Sequence, residues 1–266
     1  SRTDAPAFAS GDGYDFAEKA GAQFSNMQYL PAYPGAVPVN DGTYAKTMVA
    51  NTTKYPGAIW VNLNGERMID EIDCSPDPKQ TVWATAPENY VYIIIDENMR
   101  KANPPILSYG AGFAMKPDTD WVRFNEEILK GDVVFKGETI EELAANAGID
   151  QKGLAETVKK YNSFVKDGKD LDFGRVNSLI EFGEGPFYAV KTVPYLMLTK
   201  GGPLMDTNAQ ILNKAGQPIE GLYQCGELVG GANIGGAASI GGLANTICVV
   251  WGKTAARSAV EFSLAK

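Results

Sequence analysis

The chain has 266 residues, 44% hydrophobic and 21% charged, and its 32 acidic residues outnumber its 24 basic ones to give a net charge of −8. This composition predicts one or two folded globular domains and disfavours a nucleic-acid partner, because phosphate backbones attract basic surfaces. The sequence contains no histidine, which excludes a Ser-His-Asp triad and removes the commonest metal ligand, so we predict no metal site.

Two further classes are disfavoured by the sequence. No apolar run approaches the roughly 20 residues that a membrane helix needs, and residues 1–13 do not resemble a signal peptide, so we expect no membrane segment in this chain. Cys74, Cys225 and Cys248 lie far apart without a C-x-x-C pair, which predicts neither a disulfide framework nor a thiolate metal site. We expect Cys225 and Cys248 to be buried small apolar side chains.

For the first half of the chain, the sequence predicts one helix followed by loops and strands. Residues 13–24 predict a helix, with an apolar face of Phe16, Ala17, Ala20 and Phe24. Residues 27–57 are rich in Pro, Gly and Asn and predict loops. Strand signals follow in chain order at 58–62, 67–69 and 90–95. A turn is predicted at Asn64–Gly65, between the first two strands.

Two helices are predicted after Gly137. The first, TIEELAANAG, begins with Thr139 as a cap and has Glu142 three residues later, which is the pattern of a capping box. The second, QKGLAETVKKYNSFVKDG, ends at Gly168, as helices commonly end at glycine. Together they predict a helical hairpin.

The final third predicts short strands with turns at 213–216 and 220–221, closing on a strand at 222–225. A glycine-rich segment, 226–246, and a long helix follow. The predicted inner face of this helix is formed by Leu243, Ile247, Val250, Trp251, Ala255, Ala259 and Phe262.

A strand, a glycine loop and a helix in this order have two interpretations. Glycines let main-chain N–H groups approach an anionic or carbonyl-rich ligand at the positive end of the helix. They also allow two elements to pack closely with no ligand present. Both interpretations remain open on spacing alone.

Four segments of the chain resemble a known family: SGDGYDFAEKAGA, AIWVNLNGERMIDE, TIEELAANAGIDQKGLAETVKKYNSFVKDGKDLDFGR, and GPFYAVKTVPYLMLTKGGPLMDTNAQILNKAGQPIEGLYQCGELVGG with its SIGGLANT sequel. In this order they resemble the later part of the fumarate reductase/succinate dehydrogenase flavoprotein superfamily. The branch concerned includes flavocytochrome c fumarate reductases, urocanate reductases and 3-ketosteroid dehydrogenases.

The resemblance implies an α+β chain: the capping domain of a fumarate-reductase-like flavoprotein plus the C-terminal segment of an α/β FAD-binding domain. It implies an FAD-domain segment at 1–30, a capping (substrate-clamp) domain at 31–196 and a C-terminal FAD-domain segment at 197–266. The family's G-x-G-x-x-G motif is absent from these residues, so the chain resembles a fragment whose partner is the missing N-terminal FAD-binding region. FAD is then expected to be absent or weakly bound in the chain alone.

The resemblance also implies cofactor-binding residues. Asp12 matches the acid of the family's GDG turn, and Glu227 matches the acid that bonds a cofactor hydroxyl. The alternatives are a helix N-cap for Asp12 and a solvated strand end for Glu227. The main-chain N–H groups that meet the flavin ring are matched by Gly241, Gly242, Leu243, Ala244 and Asn245.

Several family residues are replaced in this sequence. The two substrate-binding histidines correspond to Tyr33 and Leu198, and the two arginines fall at or near Ser75 and on Ser239. Without these cations a buried dicarboxylate would be uncompensated. The resemblance therefore implies hydride transfer between flavin N5 and an activated carbon–carbon bond, with a small-molecule substrate other than fumarate or succinate; the alternative is a non-catalytic flavin- or ligand-binding protein.

Two tyrosines are candidates for catalytic residues. Tyr33 occupies the position of a lost histidine, and Tyr188 lies in a segment similar to one in which 3-ketosteroid dehydrogenases carry a reactive tyrosine. The alternative for both is a core tyrosine whose hydroxyl is hydrogen-bonded. Arg67 is expected to form a structural ion pair with Glu71. The sequence assigns neither the electron donor nor the cellular location.

Overall fold

The computed structural model describes residues 9–29, 32–37, 55–72, 82–109, 116–196, 198–235 and 242–266. The helices with both ends described are α1 (Asp12–Lys19), α2 (Glu97–Ala102), α3 (Val122–Lys130), α4 (Ile140–Ala147), α5 (Gln151–Asp167), α6 (Gly231–Gly235) and α7 (Leu243–Leu264). The strands are β1 (Phe24–Ser25), β2 (Ala32–Ala36), β3 (Ile59–Val61), β4 (Val91–Asp96), β5 (Ser108–Tyr109), β6 (Lys116–Pro117), β7 (Val134–Gly137), β8 (Phe187–Leu196), β9 (Gly202–Pro203), β10 (Gln210–Leu212) and β11 (Pro218–Tyr223). Short 3-10 helices lie at Pro87–Asn89 and Gly226–Val229.

The described residues fall into two compact units. The first consists of Ala32–Tyr195, and the second of Ala5–Pro31 together with Leu196–Lys266. The assignment of these units to a capping domain and to FAD-domain segments stays a prediction.

The first unit is built on a five-stranded sheet in the order β2, β8, β4, β3, with β7 also paired to β8. The pairs of β4 with β3 and β8, and of β7 with β8, are antiparallel. Every residue of β4 is buried, as expected for a strand covered on both faces. The strands predicted at 58–62 and 90–95 are confirmed as β3 and β4.

The strand predicted at 67–69 is not formed. The segment is reduced to an isolated antiparallel bridge between Arg67 and Val61, with main-chain hydrogen bonds from Met68 to Trp60 at 3.1 Å and from Asn62 to Glu66 at 3.0 Å. The chain then turns, and Asp70 accepts a hydrogen bond from the main-chain N–H of Ile72 at 2.9 Å.

The predicted helical hairpin is confirmed as α4 and α5. Thr139 caps α4 by accepting from the N–H of Glu142 at 3.1 Å, and Asp150 caps α5. Both helices end at a left-handed glycine, α5 at the predicted Gly168. The Asn64–Gly65 turn packs directly on α5, since a Cβ added to Gly65 would lie 2.2 Å from the main-chain nitrogen of Leu154.

The second unit contains the hairpin of β10 and β11, joined by the predicted turn at 213–216. The turn predicted at 220–221 is wrong, because these residues lie inside β11. Gly221 has a φ of 74° there, and the register of the pair shifts between Gln210 and Leu212. The glycine thus serves an irregularity of the strand pair.

The predicted faces of α1 and α7 need correction. In α1 only Ala17 is buried, Phe16 is 69% exposed, and Phe24 belongs to β1. In α7 the buried residues are Ile247, Ala255 and Ser258, whereas Val250 is 51% exposed. Helical spacing predicted the helices but not the side that the unit covers.

The cysteine prediction is also wrong, because Cys225 and Cys248 are both exposed. Cys225 lies between β11 and the 3-10 helix Gly226–Val229, and Cys248 precedes the exposed Val249 on α7. In the part of the chain that the structure describes, no helix has the length and apolar character to cross a bilayer. Among the same residues, no group of three or more Cys, Asp and Glu side chains could hold a metal ion.

Candidate functional site

Three elements that carry predicted cofactor residues belong to the second unit: α1, the 3-10 helix Gly226–Val229 and α7. The start of α1 lies against the 3-10 helix, because a Cβ added to Gly13 would lie 3.2 Å from the side chain of Leu228. The 3-10 helix in turn packs against α7. The fold therefore brings the elements bearing Asp12 and Glu227 into contact.

Asp12 is the exposed first residue of α1 and accepts a hydrogen bond from the Ser10 hydroxyl at 2.7 Å. The N-cap alternative is wrong, because the cap residue is Gly11, with a φ of 90° and no side-chain hydrogen bond. An acid in the first turn is still favoured by the positive end of the helix. Its contact with a cofactor stays a prediction.

Glu227 is exposed, and no hydrogen bond to its carboxylate is found among the described residues. Its main-chain oxygen accepts from the N–H of Gly230 at 3.0 Å, which closes the 3-10 turn. The carboxylate is thus accessible on a fixed turn, while its binding to a cofactor hydroxyl remains a prediction.

The start of α7 is open in the region that the structure describes. Gly242 caps the helix with a φ of 84° and no side-chain hydrogen bond, and Ala244 and Asn245 are exposed. The first N–H groups of any helix lack an intrahelical acceptor. Leu243 is half-buried, and Gly241 lies outside the described residues.

The glycines of segment 226–246 divide between the two interpretations. A Cβ added to Gly226, Gly231 or Gly242 would meet no described atom within 4 Å, so close packing does not explain these glycines, and Gly226 and Gly242 have positive φ values of 73° and 84°. A Cβ on Gly230 would lie 2.6 Å from the carbonyl carbon of Gly201, so that glycine serves close packing. Among the described residues, α7 begins without a side-chain cap, and the binding of a flavin ring at its N–H groups stays a prediction.

Tyr188 is a buried residue of β8 in the first unit. Its hydroxyl donates to Glu97 at 2.8 Å, and its ring packs edge-on against Phe124 at 5.3 Å. Burial, reinforced by the Glu97 carboxylate, raises the pKa of Tyr188 to about 12. This is the arrangement of a core tyrosine with a hydrogen-bonded hydroxyl, and a catalytic role for Tyr188 stays a prediction.

The remaining substrate positions are only partly described. Tyr33 lies on β2 of the first unit, but its side chain is outside the described residues. Leu198 is half-buried in the second unit. Ser75 and Ser239 also lie outside the described residues. The catalytic assignment of Tyr33 remains a prediction.

The predicted ion pair of Arg67 with Glu71 is confirmed, at 2.8 Å. Sequence analysis missed its two other members: Asp170, 2.8 Å from Arg67, and Arg175, 3.0 Å from Glu71. All four side chains are at most 4% exposed. The cluster is structural, since its charges are paired with one another and with main-chain groups.

Sequence analysis also missed Asn26 and Asn233. Nδ2 of Asn26 donates a hydrogen bond to Oδ1 of Asn233 at 2.7 Å, which links two segments of the second unit. Asn233 lies in the glycine-rich stretch GGANIGG and Asn26 lies between Ser25 and Met27, and an asparagine in a loop sequence is too common to be singled out.

Comparison with known proteins identifies a family and several relatives of this chain. The model of the FAD binding domain family matches residues 2–243. The chain is 34% identical over 255 residues to a fumarate reductase (cytochrome) of Shewanella frigidimarina, covering 96% of this chain and 40% of that protein. It is 31% identical over 262 residues to a urocanate reductase of Eggerthella lenta, covering 96% and 39%.

A solved structure extends the comparison to the fold. The 3-ketosteroid delta1-dehydrogenase of Sterolibacterium denitrificans aligns with a TM-score of 0.75 at 26% identity, over 100% of this chain and 48% of that one. The chain spans about 40% of the length of the curated relatives described above. The predicted superfamily and α+β fold are thus confirmed, and the chain belongs to the FAD binding domain family, whose cofactor is FAD.

Proposed function

We propose that this chain is part of an FAD-dependent oxidoreductase that reduces or forms a carbon–carbon double bond next to an activating group. The observation that carries the proposal is the open start of α7, in the same compact unit as Asp12 and Glu227, in a chain that the FAD binding domain model matches over residues 2–243. The relatives named above reduce fumarate or urocanate or dehydrogenate a ketosteroid. In each of these compounds the reacting bond lies near a carbonyl or carboxylate group.

The cofactor would be held by residues of the second unit. Bound FAD would supply hydride transfer at flavin N5. The Glu227 carboxylate would accept a hydrogen bond from a cofactor hydroxyl, and Asp12 would provide a second polar contact. The N–H groups of Gly241–Asn245, at the positive end of α7, would stabilise negative charge on a bound ring.

A proton donor or acceptor is also required, and we propose Tyr33 and Tyr188 as candidates. With a pKa of about 12, Tyr188 remains protonated at neutral pH and could only donate a proton. Its hydroxyl already donates a hydrogen bond to Glu97. A catalytic Tyr188 would have to replace this hydrogen bond with one to the substrate.

The substrate is proposed to be less anionic than fumarate. By the family resemblance, the two histidines correspond to Tyr33 and Leu198, and the two arginines fall at or near Ser75 and on Ser239. None of these side chains is a cation at neutral pH, and a buried carboxylate without one is unfavourable by several kcal/mol, on the order of 3–5 when a partner is removed.

The rest of the cofactor site is proposed to lie in a region of the full-length protein outside these residues. The chain spans about 40% of its curated relatives, and its sequence has no G-x-G-x-x-G motif, the usual pyrophosphate-binding turn. The electron donor is left open by this proposal.

The test is to purify the full-length protein, measure its FAD content, and assay it with a reduced dye and a panel of alkenes. We expect bound FAD and a preference for an alkene activated by a ketone or a single carboxylate over fumarate, by about tenfold or more. Fumarate as the fastest substrate would contradict the proposed substrate class.

A second candidate is a non-catalytic flavin- or ligand-binding protein of the same fold. It is favoured by the bond of Tyr188 to Glu97, which withholds a candidate acid from substrate. Stoichiometric FAD without turnover against any donor and alkene would support it over the oxidoreductase.

A further inference from the structure

Three segments of the second unit meet at the side-chain amide of Asn233, in α6. Its Nδ2 donates to the main-chain oxygens of Gly202 at 3.2 Å and Val229 at 3.0 Å. Its Oδ1 accepts from Nδ2 of Asn26 at 2.7 Å. Both N–H groups and the oxygen of this amide are therefore engaged. The proposed chemistry assigns no role to this residue.

A second amide binds the same strand. Nε2 of Gln224 donates to the main-chain oxygen of Pro203 at 2.7 Å. Side-chain amides thus hold two consecutive carbonyls of β9, those of Gly202 and Pro203. The two amides come from positions 224 and 233, which flank the 3-10 helix that carries Glu227. Hydrogen bonds to β9 therefore come from residues on both sides of this 3-10 helix, which forms the turn that carries Glu227.

The main chain of β9 and of the 3-10 helix has little room to shift. A Cβ on Gly202 would lie 2.2 Å from the main-chain oxygen of Leu228, and the N–H of Ala232 donates to the oxygen of Lys200 at 2.9 Å. Asn26 itself has a φ of 59°, a left-handed conformation that asparagine adopts more readily than most residues.

We propose that Asn233, supported by Asn26, is a positioning residue for the Glu227 carboxylate. This inference rests on the proposed function, in which Glu227 accepts a hydrogen bond from a cofactor hydroxyl. Such a bond requires its acceptor to be held within about 0.5 Å of the productive position. Asn233 fixes the carbonyls of Gly202 and Val229 and so fixes the turn, with no contact to the cofactor itself.

The first arm of the test needs no cofactor. Hydrogen exchange is measured on the full-length protein, unchanged and as Asn233→Leu, at a temperature where both are folded by circular dichroism. We expect exchange of main-chain amides in 228–232 to accelerate by about tenfold, because local opening becomes easier. The matched control is Asn162→Leu in the first unit. Asn162 is also half-buried, and its side-chain amide forms two hydrogen bonds of 2.9 Å with the main chain of Phe182. Unchanged exchange in 228–232 would overturn the inference.

The second arm is a double-mutant cycle on the FAD dissociation constant, using Asn233→Leu and Glu227→Ala, which removes the acceptor oxygens at position 227. We expect Asn233→Leu to weaken FAD binding by about tenfold in the unchanged protein and by less than about twofold beside Glu227→Ala, because it acts through Glu227. Equal weakening in both backgrounds, or none, would show a merely structural role and refute the positioning. If the unchanged full-length protein takes up no FAD, the proposed function fails and the positioning role falls with it, whatever the exchange data show.

Discussion

The buried charge cluster of the first unit gives the strongest stability prediction. Glu71 accepts hydrogen bonds from Nε and Nη2 of Arg67, both at 2.8 Å, from Nη1 of Arg175 at 3.0 Å and from the N–H of Trp60 at 3.0 Å. Its side chain is 1% exposed. Glu71→Gln removes the carboxylate that pairs with both Arg67 and Arg175, so two buried guanidinium charges are left with one buried carboxylate, Asp170, in the cluster.

Breaking such a buried pair lowers the free energy of unfolding by about 3–5 kcal/mol. Because domains are stable by only about 5–15 kcal/mol, the variant should lose about a fifth or more of its stability. Urea unfolding followed by tryptophan fluorescence measures this loss. Trp60 and Trp83 are both buried in the first unit and pack together at 5.7 Å, so their emission reports the unit that holds the cluster.

Two further variants make the result specific to the buried cluster. The control Glu156→Gln removes an exposed carboxylate 3.8 Å from Lys152 and should change stability by less than about 0.5 kcal/mol. Arg67→Met should also lower the free energy of unfolding, because it leaves the buried carboxylate of Asp170 without its ion-pair partner. A loss below about 1 kcal/mol for Glu71→Gln, or a loss no larger than that of the exposed control, would refute the reasoning.

The remaining predictions concern the Tyr188 pair and the cofactor. Tyr188→Phe should lower the free energy of unfolding by about 1 kcal/mol, since Glu97 keeps its bonds to Arg100; a fall in kcat of the full-length protein without a change in fold would identify Tyr188 as catalytic. Hydrogen bonds from Arg100 lower the pKa of Glu97 from 4.5 to about 2, so its stabilisation is full above pH 4.5 and is lost as pH falls towards 2; urea unfolding of Glu97→Gln should lack this loss. The 266-residue chain alone should purify without stoichiometric FAD, and a fully loaded yellow chain would contradict that expectation.

Local sequence signals predicted those parts of the fold whose causes are local. The cap at Thr139, the end of α5 at Gly168 and the apolar run of β4 each depend on residues within one turn or one strand. The family resemblance added Asp12 and Glu227, and the structure places their elements in contact through Gly13 and Leu228.

The parts that sequence could not predict depend on distant partners. Arg175 is buried because it donates to the main-chain oxygen of Ala58 and to Glu71, more than 100 positions earlier in the chain. The side of α7 that is covered likewise depends on which element packs against it, and helical spacing alone cannot fix that choice. We predicted that Cys225 and Cys248 are buried, because cysteines usually are. Both instead lie on exposed surfaces.

Glycine has two different roles in one short segment of the second unit. Gly230 gives up its side chain so that the chain can lie against Gly201, and this contact helps to fix the turn that carries Glu227. Gly242 instead has open space beside it and begins α7 without a side-chain cap. A cap would satisfy the first N–H groups of the helix and remove their attraction for a ligand. Among the described residues, the segment thus combines close packing at Gly230 with a helix start that has no side-chain cap at Gly242, and we expect a cofactor to use the second of these.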